Sequence, residues 1–259
     1  GIDPLPGGGE TSERVEREVF IPWARLLRSA RGVPAVGRGP TMRNSAPALT
    51  GRSARWGGVL IAVGSVQFVV AMAWVQSRYG GYSVLTNYIS DLGNTSTSPL
   101  PSVFNVSIII LGVFAFLGIL LGWGGFPRGG SRVVGLVLFL IASVSAVLVG
   151  FFPENVNPPV HDLASLMVFL PAGLALVVLS AGMGKGTHWS SYRGLTAILG
   201  IITLASLAYY APTQQTNSTW DPGLIERLIV APILIWGFVA GLHLARLPRF
   251  SPSASATAI

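Results

Sequence analysis

The sequence predicts an all-α integral membrane protein, a bundle of six transmembrane helices with both termini in the cytoplasm. Three observations carry this. Of 259 residues, 51% are apolar and only 10% charged, against about a quarter charged in a soluble domain. Six stretches each supply the roughly 20 mostly apolar residues that cross about 30 Å of hydrocarbon as a helix. The cationic residues gather on alternate connections between those stretches.

The stretches lie near residues 57–77, 103–123, 133–152, 163–183, 193–212 and 225–246. Helix is required because a lipid-exposed backbone must satisfy its own hydrogen bonds. The runs are also too long for barrel strands and do not alternate polar with apolar. If six spans alternate, Arg43, Arg52, Arg55, Arg128, Arg132, Lys185, Arg193, Arg246 and Arg249 all share one side, and only Arg78 and Arg227 occupy the other. The positive-inside rule makes the arginine-rich side cytoplasmic, so the expected location is the cell membrane, multi-pass.

This placement also explains the net charge of +7 without a nucleic-acid partner; the expected partners are membrane lipids. Cysteine is absent, which excludes disulfides, thiolate metal ligands and a thiol nucleophile. The glycines lie in apolar spans and loops, with no strand–turn–helix phosphate motif, so no nucleotide or flavin cofactor is expected.

Three segments follow. Residues 1–56, rich in Gly, Pro and Arg, read as a disordered, basic cytoplasmic tail. Within it residues 12–29 place Val15, Val19, Trp23 and Leu26 on one face, the pattern of an interfacial amphipathic helix. Residues 57–247 form the membrane domain, and 248–259 a second disordered tail. Gly118 and Gly122, and Gly237 and Gly241, have GxxxG spacing, and Ala142, Ser143 and Ala146 make a similar small-residue face. Such faces let helices approach closely, within the bundle or, alternatively, in a homo-oligomer. Pro171 and Pro232 fall inside spans, where each removes a backbone donor.

After residue 56 the carboxylates are Asp91, Glu154, Asp162, Asp221 and Glu226, all on the expected outer side or at outer helix ends, as is His161. They sit in three stretches. "NYISDLGN" (87–94) carries Asn87, Tyr88, Ser90, Asp91 and Asn94. "FFPENVNPPVHD" (151–162) carries Glu154, is expected to turn through Asn157-Pro158-Pro159, and opens the fourth helix at His161-Asp162. "DPGLIERLIV" (221–230) carries Glu226 and Arg227 into the last span. Ionisable groups at membrane depth tend to face the interior and pair with one another. Asn87, Asp91, Glu154, His161 and Arg227 are therefore the candidate binding residues, with Arg227 the natural partner of Asp91 or Glu154. Asp91, His161 and Ser90 are the candidate catalytic groups, since a serine nucleophile needs a base and a base needs an orienting partner. One histidine with carboxylates is a poor zinc set, so no metal is expected.

A structural role is the alternative for each. Asp91 and Ser90 can hold their loop by local bonds, Asp162 or its neighbours can cap the fourth helix, and Glu226 with Arg227 can form an interfacial ion pair. His188 and His243 look solitary on the inner side.

"NYISDLGN", "FPEN" followed by His161, and "GLIERL" before a span together resemble the prokaryotic six-helix membrane proteins grouped as domain of unknown function 998. The likeness covers roughly residues 57–247, and its most specific part is Ser-Asp-Leu-Gly. It implies six spans and no particular activity, and it draws attention to Asp91, His161 and Arg227. A weaker likeness, to intramembrane metal hydrolases of the alkaline ceramidase and adiponectin-receptor type, rests on Ser90 and Asp91. That type uses three histidines and seven spans, whereas this chain has one outward histidine and six. The expected function is an outward-facing polar cluster that binds a lipid head group or small solute. The alternative is a membrane-embedded hydrolase acting on lipids at the outer leaflet.

Overall fold

Apart from Gly1, the computed structural model describes residues 47–215 and 220–247. The expected amphipathic stretch 12–29 and the tail 248–259 lie outside these. Six long helices run through the described residues, with no strand among them: α1 (Pro47–Arg78), α2 (Pro101–Gly122), α3 (Gly130–Phe151), α4 (Pro158–Gly182), α5 (Arg193–Gln215) and α6 (Pro222–Ala245). Each contains a segment long and apolar enough to cross a membrane. Short 3-10 turns at Ser90–Gly93, Trp123–Gly125 and Ser190–Tyr192 punctuate the connections.

Local sequence sets the helix starts. Pro101, Pro158 and Pro222 each stand in the first turn of a helix, where the missing N–H costs nothing and φ is already helical. Asn157 caps α4 by accepting from the Val160 amide at 3.4 Å. This corrects the expected start at His161-Asp162: the two prolines belong to the helix, and Asp162 is exposed rather than capping. α1 begins at Pro47, ahead of the apolar run at 57. A helix need not stop where hydrocarbon ends, because its backbone bonds stay internal. Arg55 Nε also donates to the Ala245 carbonyl at 3.0 Å, giving a free carbonyl at the end of α6 a charged donor.

Each helix packs on its neighbours in sequence, and α6 returns to α1, so the six close into a ring. The start of α1, the α2–α3 and α4–α5 connections and the end of α6 share one end, here called proximal. The other three connections make the distal end. Closure depends on glycine. A Cβ on Gly57 would stand 2.5 Å from the Gly118 carbonyl and the Gly122 amide, and one on Gly241 would stand 2.7 Å from the Ala62 amide. The two GxxxG faces thus dock on opposite flanks of α1, through Gly57 on one side and Gly58 on the other. Large apolar side chains line the ring's exterior, Val70 60% and Ile201 58% exposed, as suits a surface in contact with hydrocarbon.

The proximal end is filled by stacked rings. Phe139 lies 4.7 Å from Trp236 and Phe126 4.9 Å from Trp189, centroid to centroid. Trp189 Nε1 and His188 Nε2 both bond the Gly125 carbonyl, at 2.8 and 3.0 Å. His188 and His243 are not solitary: their rings stack at 5.4 Å, and His243 also meets Trp189 and Tyr192 at 4.4 and 4.6 Å. Ring closure brings together residues that sequence distance separates.

Gly57→Ala should lower thermal stability by about 1–3 kcal/mol, the cost of overpacking against a backbone that cannot yield. Gly80→Ala, with nothing within 4 Å of its Cβ, should be near neutral. Thermal unfolding of the two purified variants in detergent checks the contrast.

Candidate functional site at the distal end

The α1–α2 connection does not float. Its residues 84–89 are bound to the first turn of α6. The Leu224 amide, one of the free donors at that helix start, bonds the Leu85 carbonyl at 3.0 Å. In the other direction the Ile89 amide donates to Glu226 Oε2. Helix and loop thus satisfy each other's orphan groups. Gly223 is needed where they meet, because a Cβ there would collide with the Asn87 carbonyl. Asp221, just before the helix, takes a left-handed conformation (φ 43°), which Asp tolerates better than most residues.

Arg227 is the second clasp. Its hydrogen bonds among the described residues go to the carbonyls of Asn87 (3.0 Å) and Gly223 (2.7 Å) and to the Tyr82 hydroxyl (2.7 Å). That hydroxyl in turn donates to the Tyr88 carbonyl at 2.7 Å. Burial holds the Tyr82 phenol above its ordinary pKa against the pull of Arg227, with the Glu226 and Asp91 carboxylates pushing the same way. It therefore stays protonated and able to donate. Asn87 joins Arg227 to Asp91: its carbonyl takes the guanidinium, and its Nδ2 donates to Asp91 Oδ2 at 2.9 Å. Asp91 Oδ2 also accepts from the Tyr88 amide at 3.0 Å.

The third stretch closes over this pair. Asn94 Nδ2 donates to Glu154 Oε1 at 3.2 Å, and the Thr95 amide to Asn155 Oδ1 at 3.0 Å. Asn105 of α2 donates to the Gly93 carbonyl at 2.9 Å. The 3-10 turn is thereby fixed to α2, the α3–α4 connection and, through residues 87–89, α6.

Beneath this roof lies an internal cavity of about 70 Å³, framed by every helix except α5. Its walls are mostly apolar, with Phe68, Phe104 and Val149 among them, but Ser90, His161, Ser165 and Glu226 also line it. His161 is 7% exposed, and its Nδ1 bonds the Phe152 carbonyl at 2.9 Å. A carbonyl only accepts, so Nδ1 carries a proton, and in the neutral tautomer this leaves Nε2 as a lone-pair acceptor. No described residue bonds Nε2, and the only described donor to Glu226 is the Ile89 amide.

The sequence candidates therefore fall into two groups. Asn87, Asp91, Glu154 and Arg227 belong to the hydrogen-bonded roof. Ser90 and His161 face the cavity side. Arg227 pairs with carbonyls, not with the expected Asp91 or Glu154 carboxylates. The suggested Glu226–Arg227 pair does not form a hydrogen bond either, since adjacent helix residues point apart. Sequence reasoning placed Asn94 and Glu226 in the polar stretches without naming them binding residues, and it did not single out Ser165 or Tyr82. A signal existed for Glu226: a carboxyl one turn into an apolar span needs an internal partner. Among the described residues no three His, Asp or Glu side chains are placed to share a metal ion.

Glu226→Leu should leave the Ile89 amide buried without an acceptor and cost about 1–3 kcal/mol. Glu226→Gln, which keeps an acceptor oxygen, should lose less than half of that in the same thermal unfolding measurement.

No curated protein and no solved structure matches the chain. A family model does, the one described as Protein of unknown function (DUF998), over residues 62–243. That range covers more than half of the chain and holds all three interlocked stretches, so the protein, with six membrane-compatible helices among its described residues, belongs to the DUF998 family.

Proposed function

We propose that the protein is a cell-membrane binding protein whose distal end faces outward and whose distal cavity holds the polar end of a small amphipathic molecule. The carrying observation is the cavity's wall: two acceptors, His161 Nε2 and the Glu226 carboxyl, and two serines, set in otherwise apolar surroundings. Ligand sites have this make-up, an apolar pocket with a few convergent polar groups. The arginine distribution supports the orientation, with both termini cytoplasmic. Ser165 has no part in the roof, so Ser165→Leu fills the cavity and leaves the interlock intact. Native mass spectrometry of the purified protein should show a bound small molecule on the wild type that Ser165→Leu loses. An identical bound population on both would contradict the proposal.

One observation favours a second reading, a hydrolase acting on lipids. His161 is pinned through Nδ1, as a general base must be, and shares the cavity with Ser90. A fluorophosphonate probe should then label Ser90 in the wild type and fail to label His161→Ala. Absence of labelling in the wild type removes that reading.

A further inference from the structure

We infer that the ligand of this cavity is a single-chain lipid with a hydrogen-bond-donating head, and that it enters sideways from the bilayer between α1 and α6, past Leu234. This rests on the binding role proposed above and adds the ligand class and the route.

On the water side the cavity meets the roof. Ile89 and Ser90 line the cavity from the roof, and the roof is tied to α6 and to the α3–α4 connection by the bonds already described. A solute from water would have to break several of them together.

The lipid side is thinner. On the exterior an open groove of about 440 Å³ runs between α1 and α6, lined by Val66, Val69, Val70, Ala231, Ile235 and Phe238, with Ser65 and Leu234. No ionisable residue touches it. It lies midway along both spans, where the surrounding solvent is hydrocarbon, so an acyl chain is the occupant the membrane supplies. Leu234 lines this groove and the distal cavity too. Leu234 is thus a wall common to the lipid-facing groove and the compartment of His161 and Glu226. Two residues earlier, Pro232 removes the donor that would bond the Leu228 carbonyl, so α6 lacks a rung beside the gate.

The cavity also has an apolar neighbour on the side where a tail would begin. A second internal cavity of about 80 Å³ continues toward the proximal end, ending on Phe126, Phe139 and Trp236. Leu234 lines it as well, so one side chain borders all three spaces. The first cavity has polar groups and the second is almost wholly apolar, which matches a head followed by a chain. A donating head fits this wall, because Nε2 of His161 in its Nδ1–H tautomer and a carboxyl oxygen of Glu226 can both accept. An alcohol or amine fits, and a fatty carboxylate would face Glu226.

The test uses the full-length protein in phosphatidylcholine nanodiscs with a long-chain primary alcohol bearing a diazirine, and reads labelled residues by mass spectrometry. Interior labels at Val168 or Trp236 are expected in the wild type. Ala231→Trp and Val70→Trp, both at exposed groove positions, should lower them about ten-fold, equivalent to about 1.4 kcal/mol, because an indole occupies the open groove. Labelling of the lipid-facing Ile198 and Ile201 should not change, which shows that the variants fold. Undiminished interior labels in both variants would overturn the lateral route while leaving the binding role standing. A matching fatty acid that labels the interior as strongly as the alcohol would overturn the donor head. No interior label in the wild type, with Ile198 and Ile201 labelled, would overturn the inference and the binding role together.

Discussion

The exchange of hydrogen bonds between residues 85–89 and the first turn of α6 is the constraint on which the distal end depends. Helix ends and connecting loops both carry unsatisfied backbone groups, and near a membrane water supplies few partners for them. Here each side settles the other's need: α6 donates through Leu224, and Glu226 accepts from Ile89. Arg227, Asn87 and Asp91 extend the arrangement outward, and Asn94 carries it to Glu154. The three short motifs that mark the sequence are the three parts of one roof. Their residue types follow from backbone chemistry before any ligand is considered.

The ring beneath is held on a different principle. In hydrocarbon, burying apolar surface gains little, so close backbone approach at Gly57, Gly58, Gly118 and Gly241 does the packing instead. Those contacts lie in the proximal half, where the stacked rings around Trp189 and Trp236 fill the remaining space. Between these rings and the roof lie the two internal cavities. The one beneath the roof carries the His161 and Glu226 side chains on its wall.

Much of this was legible in the sequence because solvent dictates it. Length and apolarity give six spans. The positions of the acids already place the polar stretches at one end of the helices, and the ring puts them in contact. What escaped depends on direction rather than position. Glu226 and Arg227 are adjacent in sequence, which suggests a pair, yet on a helix they diverge, one to the Ile89 amide and the other to Asn87 and Tyr82. Pro158 and Pro159 read as a turn because proline breaks helices, whereas in a first turn it begins one. His188 and His243 meet only because α6 closes on the rest of the ring, and no local pattern encodes that. The cavity, being a space between side chains from five helices, leaves no mark in any one of them.

The most direct test of the interlock is amide hydrogen exchange across residues 84–94 and 222–227 of the lipid-embedded protein. The account predicts that the Ile89 and Leu224 amides exchange as slowly as those in the middle of α3, although Ile89 lies in a connecting segment. Gly184 and Gly186, ahead of the His188–Trp189 anchor in the α4–α5 connection, are the reference for free amides, since neither amide donates a hydrogen bond among the described residues and a Cβ on either would meet nothing within 4 Å. Exchange at Ile89 as fast as at Gly184 and Gly186 would contradict the account.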